Sequence, residues 1–315
     1  MAALPFLSRN GLRQSRSRCS RSYLLSPGIL NFNTNMKWLS ISITTLLLGA
    51  LCWSCNLEKE IEIDLPDYDS KTVVECYLEP GRPFQLLLTR STSYFSPFDT
   101  ATSDLLQNLL VNGAKVSINH AGVRYDLNNQ LVIDQQAQKL YNYYNENLVP
   151  QDYTEDFELA IELQDGSTIT GTTRLLPVVP IDSVVVEFEE NDTLARVLTY
   201  FTDIPDQTNY YRRMLHHNSL DSLAMQDFTL DDRVVEDVIV FGTGYEFAVG
   251  DTVFNTLFHI DRTYFDFLES VDNAVLSNGN PFGQPSPINS KLEGTARSVG
   301  IFTGLSYTRE ITVLE

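Results

Sequence analysis

The sequence predicts a mainly β protein: an N-terminal Ig-like β-sandwich followed by a second β-rich domain with one helix. Three observations carry this. Short runs of β-branched and aromatic residues recur at close intervals, as in Val73–Leu78, Phe84–Arg90 and Phe157–Leu163. Turn residues punctuate them, notably Pro80-Gly81, Asn112-Gly113 and Asp165-Gly166. A single stretch after residue 262 switches to helical spacing. Strands of this length, separated by turn signals, are the signature of a sandwich.

In the first β region, 71–180, Val116 and Ile118 alternate with polar residues after Asn112-Gly113, and Gly122 separates them from Val123–Leu127. Phe157, Leu159, Ile161 and Leu163 alternate with Glu158, Ala160 and Glu162, and Asp165-Gly166 supplies a tight hairpin turn into Thr168–Thr173. Pro177 and Pro180 lie within four residues, which a central strand does not tolerate, so a domain boundary is expected near 180. The second region, 181–315, opens with Ser183–Phe188 and Ala195–Phe201 and continues through Val234–Phe241 and Thr252–Ile260. Tyr264, Phe267, Leu268, Val271 and Val275 then recur at helical spacing, with Thr263 and Asp266 placed as a capping box. A Gly-, Pro- and Asn-rich loop, Asn278–Pro287, precedes strand-like alternation over Thr295–Val313. Such a loop is a candidate for interaction or a long crossover connection.

The chain of 315 residues is 43% apolar, enough for a core, with a net charge of −19. Its N-terminus is unlike the rest. Lys37 opens a segment in which Trp38–Leu51 carries no charge, and Cys52-Trp53-Ser54-Cys55 closes it. This is the layout of a secretory signal, 36–54, whose 14-residue apolar run falls short of the ~20 residues of a permanent span. Cys55 is the expected site of lipidation: Ser54 is small enough to precede the cut, whereas Leu51 before Cys52 is not. Residues 55–70 then read as a lipidated acidic tether. Residues 1–35 are rich in Arg and Ser, and translation is expected to begin at Met36; the rival reading is an organelle transit peptide. Removal of the first 54 residues leaves 16 Lys and Arg against 41 Asp and Glu, a net −25. That field repels phosphates and disfavours a nucleic-acid partner.

The order of features resembles a family of Bacteroidota outer-membrane lipoproteins that carry a domain of unknown function and are usually encoded beside TonB-dependent receptors. The resemblance rests on Cys55 followed by Glu-rich sequence, Ile63-Asp64-Leu65-Pro66, Val73-Val74-Glu75-Cys76-Tyr77, Gly81-Arg82-Pro83-Phe84 and Leu88-Thr89-Arg90-Ser91. Val111-Asn112-Gly113-Ala114-Lys115-Val116, Asn209-Tyr210-Tyr211-Arg212, Asn280-Pro281-Phe282 and Gly300-Ile301-Phe302 extend it toward the C-terminus. It implies an outer membrane location, on the periplasmic or the outward face, and partnership with a TonB-dependent receptor. No catalytic residue carries over. The Lys- and acid-rich patch that marks surface export in such bacteria is matched by Glu58-Lys59-Glu60 in a shifted form.

The chemistry-bearing residues form no compact catalytic constellation, so the chain is read as non-enzymatic, with no cofactor and no metal. His216 and His217 are neighbours that a strand would point to opposite faces, and no HExxH, GxSxG or phosphate-binding loop is present. Acid pairs such as Asp203 with Asp206, Asp231-Asp232 and Glu189-Glu190 suit a glycosidase or, in Asp203–Asn209, calcium, but they equally suit solvated turns. Cys76 is either a buried hydrophobe or a reactive thiol. Tyr141, Tyr143 and Tyr144, among Asn142, Asn145 and Asn147, are the candidate ligand-binding residues. Exposed, they suit sugar stacking or a protein interface; buried, they suit strand packing. Tyr94, Phe95 and Phe98 invite the same two readings. The leading function is thus a lipid-anchored cell-envelope protein, an accessory or ligand-capturing partner of an outer-membrane TonB-dependent transporter; the alternative is a surface adhesin or glycan-binding module.

Overall fold

In a computed structural model, the structure describes residues 69–92, 108–134, 139–190, 193–234, 237–278 and 286–315. The leader, Cys55, Tyr94, Phe95, Phe98 and most of the Asn278–Pro287 loop lie outside the described residues. Residues 66–315 form one compact unit. The chain is mainly β, with several sheets and, among the described residues, one long helix.

The first sheet is built from β1 (Thr72–Leu78), β2 (Pro83–Arg90), β3 (Lys115–His120), β4 (Val123–Asp134), β5 (Lys139–Leu148), β6 (Phe157–Glu162) and β7 (Thr168–Thr173). The β6–β7 hairpin turns on Asp165-Gly166 as the sequence predicts, with Gly166 at φ +82° and the Leu163 amide donating to the Ser167 carbonyl at 2.8 Å. β4, at 12 residues, is more than twice the length of the expected Val123–Leu127 run. Its first half pairs with β3 and its second with β5, with a register shift between Asn129 and Val132. This strand joins two groups of strands, and one core fills the space between them: Val74, Cys76, Leu78, Phe84 and Leu86 from one group meet Val116, Ile118, Phe157, Leu159 and Ile169 from the other. The sheet is therefore folded over β4 into two layers of a sandwich.

The sandwich draws on the far end of the chain. β16 (Ser298–Gly304) runs parallel to β1, pairing Thr72 with Ser298 through Leu78 with Gly304, and β15 (Glu293–Gly294) pairs with β7. The chain leaves the first sheet after Thr173, just before Pro177 and Pro180, and re-enters it at Glu293.

Two four-stranded sheets are built mostly from the strands between departure and return, with the last strand of the chain completing one of them. One has the order β11 (Gln226–Asp231), β10 (Tyr210–His217), β14 (Thr252–Ile260), β17 (Ser306–Val313). In the other, β9 (Leu194–Thr202) is flanked on one side by β8 (Ser183–Phe188) and on the other by β12 (Val238–Gly242) and β13 (Phe247–Ala248) in tandem. Phe201, Ile239 and Phe241 of the second meet Tyr211 and Leu257 of the first, forming a second layered core.

Helix α1 (Arg262–Asn278) buries Tyr264 and packs Phe265, Phe267 and Leu268 around Phe258, Ile260 and Ile301. The expected helix is present, but its cap is one turn fraction earlier than the Thr263–Asp266 box. Asp261 precedes the first helical residue, and its Oδ1 accepts the Tyr264 amide at 2.7 Å. Thr263 is already inside the first turn, so it cannot serve as the N-cap.

Candidate functional site

The pleat of β1 sends Val74, Cys76 and Leu78 into the first core and leaves Glu75 and Tyr77 on the opposite face. Tyr77 joins the cluster under α1, so this face of β1 meets the helix and the β10–β14 sheet. Charged and aromatic groups converge there. Lys139, at the start of β5, holds its ammonium 4.3 Å from the centre of the Tyr77 ring, a cation–π contact. Burial pushes the Glu75 carboxyl up, while the Lys139 charge draws it back. Burial pushes the Lys139 ammonium down, while Glu75 supports it. Each half-buried ion is thus held by the other's charge.

Tyr77 meets the edge of Tyr264 with ring centres 6.0 Å apart. The Tyr264 hydroxyl accepts from Arg212 Nη1 at 2.6 Å, and Arg212 grips Asp227 through two donations, Nε at 2.7 Å and Nη2 at 2.6 Å. A fork-to-carboxylate bond of this kind fixes both position and plane. It sets Arg212 against the Tyr264 and Phe258 rings at 5.9 and 6.0 Å. The constellation joins β1, β5, β10, β11 and α1. Chemically it is a charge-rich seam able to hold a polar or ring-bearing group by cation–π and ionic contacts, and it places no nucleophile beside a base.

The sequence-selected tyrosines are not an exposed trio. Tyr143 is wholly buried, and its hydroxyl donates to the Val111 carbonyl at 3.0 Å and accepts the Ala114 amide at 2.9 Å. It is a core ring that ties down the chain before β3, so the stacking role expected of it gives way to strand packing. Tyr141 is also buried, with its hydroxyl pushed up first by that burial and then by Asp134. Tyr144 is half-buried. Between them Asn142 is buried too, accepting from the Leu88 amide and donating to the Leu88 and Val111 carbonyls.

The other candidates sort as follows. His216 is buried on β10 and His217 faces outward against Asp251 at 3.0 Å, the opposed arrangement expected of strand neighbours. Among the described residues no three His, Cys, Asp or Glu side chains gather as a metal site. Asp203 and Asp232 converge on Asn209, whose amide nitrogen donates to both at 3.1 Å and to the Ile204 carbonyl at 2.7 Å; their oxygens organise the loop. Cys76 is a fully buried free thiol, pushed upward by desolvation, and so a hydrophobe rather than a nucleophile. A polar concavity of about 200 Å³ beside the start of α1 is lined by Thr263, Asp266, Asn289, Ser290 and Lys291.

One feature escaped sequence reading. Arg213 on β10 is 1% exposed inside the second layered core, with no carboxylate partner among the described residues. It donates to Asn255 Oδ1 at 2.7 Å and to Gln226, and lies 5.7 Å from the Phe241 ring. Burial lowers it to about 10. The Arg212-Arg213 doublet was the available signal, since a strand must turn one of two neighbours inward.

This two-sandwich architecture with one helix defines a β-rich domain class in which residues 66–315 fold as one unit. The family model described as a domain of unknown function, DUF4249, matches residues 58–311, and the chain belongs to that family. No curated protein matches it.

Proposed function

We propose that this protein is a lipid-anchored component of the cell envelope, tethered through Cys55 to the outer membrane of a Bacteroidota bacterium, and a non-enzymatic accessory or ligand-capturing partner of a TonB-dependent transporter. The observation that carries this reading is the leader: an uncharged 14-residue run from Trp38 to Leu51 that ends at Ser54-Cys55 and gives way at once to Glu58-Lys59-Glu60. A lipid contributes ~0.8 kcal/mol per buried methylene and confines the folded unit to the plane of a receptor, which raises the effective concentration of even a weak contact. The acidic body suits a protein rather than a nucleic-acid partner.

Two measurements test this. Metabolic labelling with a fatty acid should be lost in Cys55→Ala and kept in Cys52→Ala; the reverse assigns the lipid to Cys52. Copurification of the tagged chain from mild detergent should enrich a TonB-dependent receptor, and enrichment of no envelope protein removes the partnership. The glycan-binding alternative rested on Tyr141, Tyr143 and Tyr144, and the burial of Tyr141 and Tyr143 leaves Tyr144 as its support.

A further inference from the structure

We infer that β8 is a docking edge for an extended segment of a partner protein in which apolar and basic residues alternate. This does not depend on membrane anchoring.

The ladder fixes which backbone groups are free. The Glu189 amide donates to the Leu194 carbonyl at 3.1 Å, so Glu189 and Leu194 are a hydrogen-bonded pair. Counting back by two along the antiparallel register, Glu187, Val185 and Ser183 bond to β9, and the amides and carbonyls of Val184, Val186 and Phe188 point away from it. Among the described residues no backbone or side chain bonds to those outward groups. Their row offers the hydrogen bonds that an added strand needs.

Natural edges are usually blunted by Lys, Pro, a bulge or extreme shortness. Ser-Val-Val-Val-Glu-Phe carries neither Lys nor Pro. Among the other edges, β15 has two residues, β17 carries Arg309 and Glu310, β11 carries Asp227 and Asp231, and β16 is largely buried. On the far side of β9 the row is split between β12 and β13. β8 also leaves apolar surface in the open, with Val185 38% and Phe188 39% exposed.

The pleat and the charge name the occupant. Val184 and Val186 face the second core beside Val253 and Leu314, so every second side chain of an added strand would extend that apolar layer. The intervening ones would lie on the outer face beside Val185 and Glu187. Asp182 flanks one end of β8, and Glu189 and Glu190, both exposed, flank the other. The only cation on β8 or β9 is Arg196, already paired with Glu187 at 2.6 Å. Carboxylates at both ends favour Lys or Arg on the incoming segment. They disfavour a second copy of this chain, because antiparallel β8–β8 pairing brings Asp182 of each copy toward the glutamates of the other.

The test uses the full chain and the synthetic peptide acetyl-(Val-Lys)4-amide, with (Val-Glu)4 and (Ser-Lys)4 as controls. Val-Lys should bind at least ten-fold more tightly than either control and should slow deuterium uptake over 183–188. Val186→Pro removes an outward amide while sparing the ladder to β9, and should abolish that protection without changing binding of an antibody to the folded chain. Should Val186→Pro fail to fold, Glu189→Lys/Glu190→Lys on the exposed turn should weaken the Val-Lys peptide at least five-fold. Equal binding of Ser-Lys, protection elsewhere, no binding at millimolar peptide, or concentration-dependent protection of 183–188 without peptide would each overturn the assignment, the last in favour of self-pairing.

Discussion

Gly300 of β16 lies so close to Val74 of β1 that a Cβ built on it would sit 1.9 Å from the Val74 carbonyl oxygen. Its φ of +134° is itself one that side chains rarely adopt. The two residues are register partners in the parallel ladder that returns the C-terminal segment to the first sandwich. Gly300→Ala therefore pays twice, in backbone conformation and in a clash that only a shift of β1 can relieve. We expect a loss of at least about 2 kcal/mol, read by urea denaturation, with Gly81→Ala milder because a Cβ at Gly81 meets nothing within 4 Å.

The same ladder decides where the molecule can be cut. Phe302 belongs to the first core, and β16 covers the edge of β1. A fragment of residues 66–180 lacks both and exposes the backbone of β1. It should be aggregated or unfolded by circular dichroism and size-exclusion chromatography, whereas 66–315 should be monodisperse. A cooperative, soluble 66–180 fragment would show that the long-range pairing is dispensable.

Much of this fold was legible. Where apolar residues alternate, as in β6, or a turn type demands Asp-Gly, the sequence marks the strand to within a residue or two. β5 was not legible as a strand, because Tyr141, Asn142 and Tyr143 are all buried and leave no period-two pattern; the tyrosines looked instead like a stacking surface. β10 hid for a similar reason, since its Arg-Arg and His-His doublets place one polar member of each pair inside. Parallel pairing of 72–78 with 298–304 leaves no local trace at all. The seam around Lys139 depends on that pairing and on the helix, so its members, Glu75, Tyr77, Arg212 and Tyr264, could be read only as isolated strand or helix residues.

Asp261 separates cap from charge. Burial raises its carboxyl above the ordinary 3.8, despite the Tyr264 amide. The folded state thus holds the proton more tightly than the unfolded chain, and stability falls as pH rises from the unfolded value through the folded one. Asp261→Asn keeps a capping oxygen and removes the charge, so at pH 7 it should match or exceed the parent in thermal denaturation, with the advantage shrinking toward pH 3. Asp261→Ala loses the cap and should cost about 1 kcal/mol.

Cys76 should be silent to thiol reagents. It is enclosed in the first core with its thiol pushed up by desolvation, so the thiolate that alkylating reagents need does not form in the folded chain. Peptide mapping after iodoacetamide should show Cys76 unmodified in buffer and fully modified in urea. Modification of Cys76 under native conditions would mean that the β1 core opens on the timescale of labelling.

Acid should loosen the second β region through its buried histidines. His259 is buried, its Nδ1 lies 2.8 Å from the Pro177 carbonyl, and its ring stacks on Tyr211 with centres 5.5 Å apart. Burial holds it below the ordinary 6.5, and His216 is lowered in the same way, with Arg309 adding repulsion. For a depressed imidazole the stabilising contribution is complete above the unfolded value and is lost as pH falls from 6.5 through the folded one. The parent should therefore lose thermal stability between pH 7 and pH 5, each titrating histidine contributing a slope of up to about 1.4 kcal/mol per pH unit. His259→Asn retains a donor for Pro177 but loses the ring, so it should start less stable at pH 7.5 and fall less steeply. Parallel curves for parent and variant would show that His259 does not carry the acid response, and would leave it to His216 on the neighbouring strand.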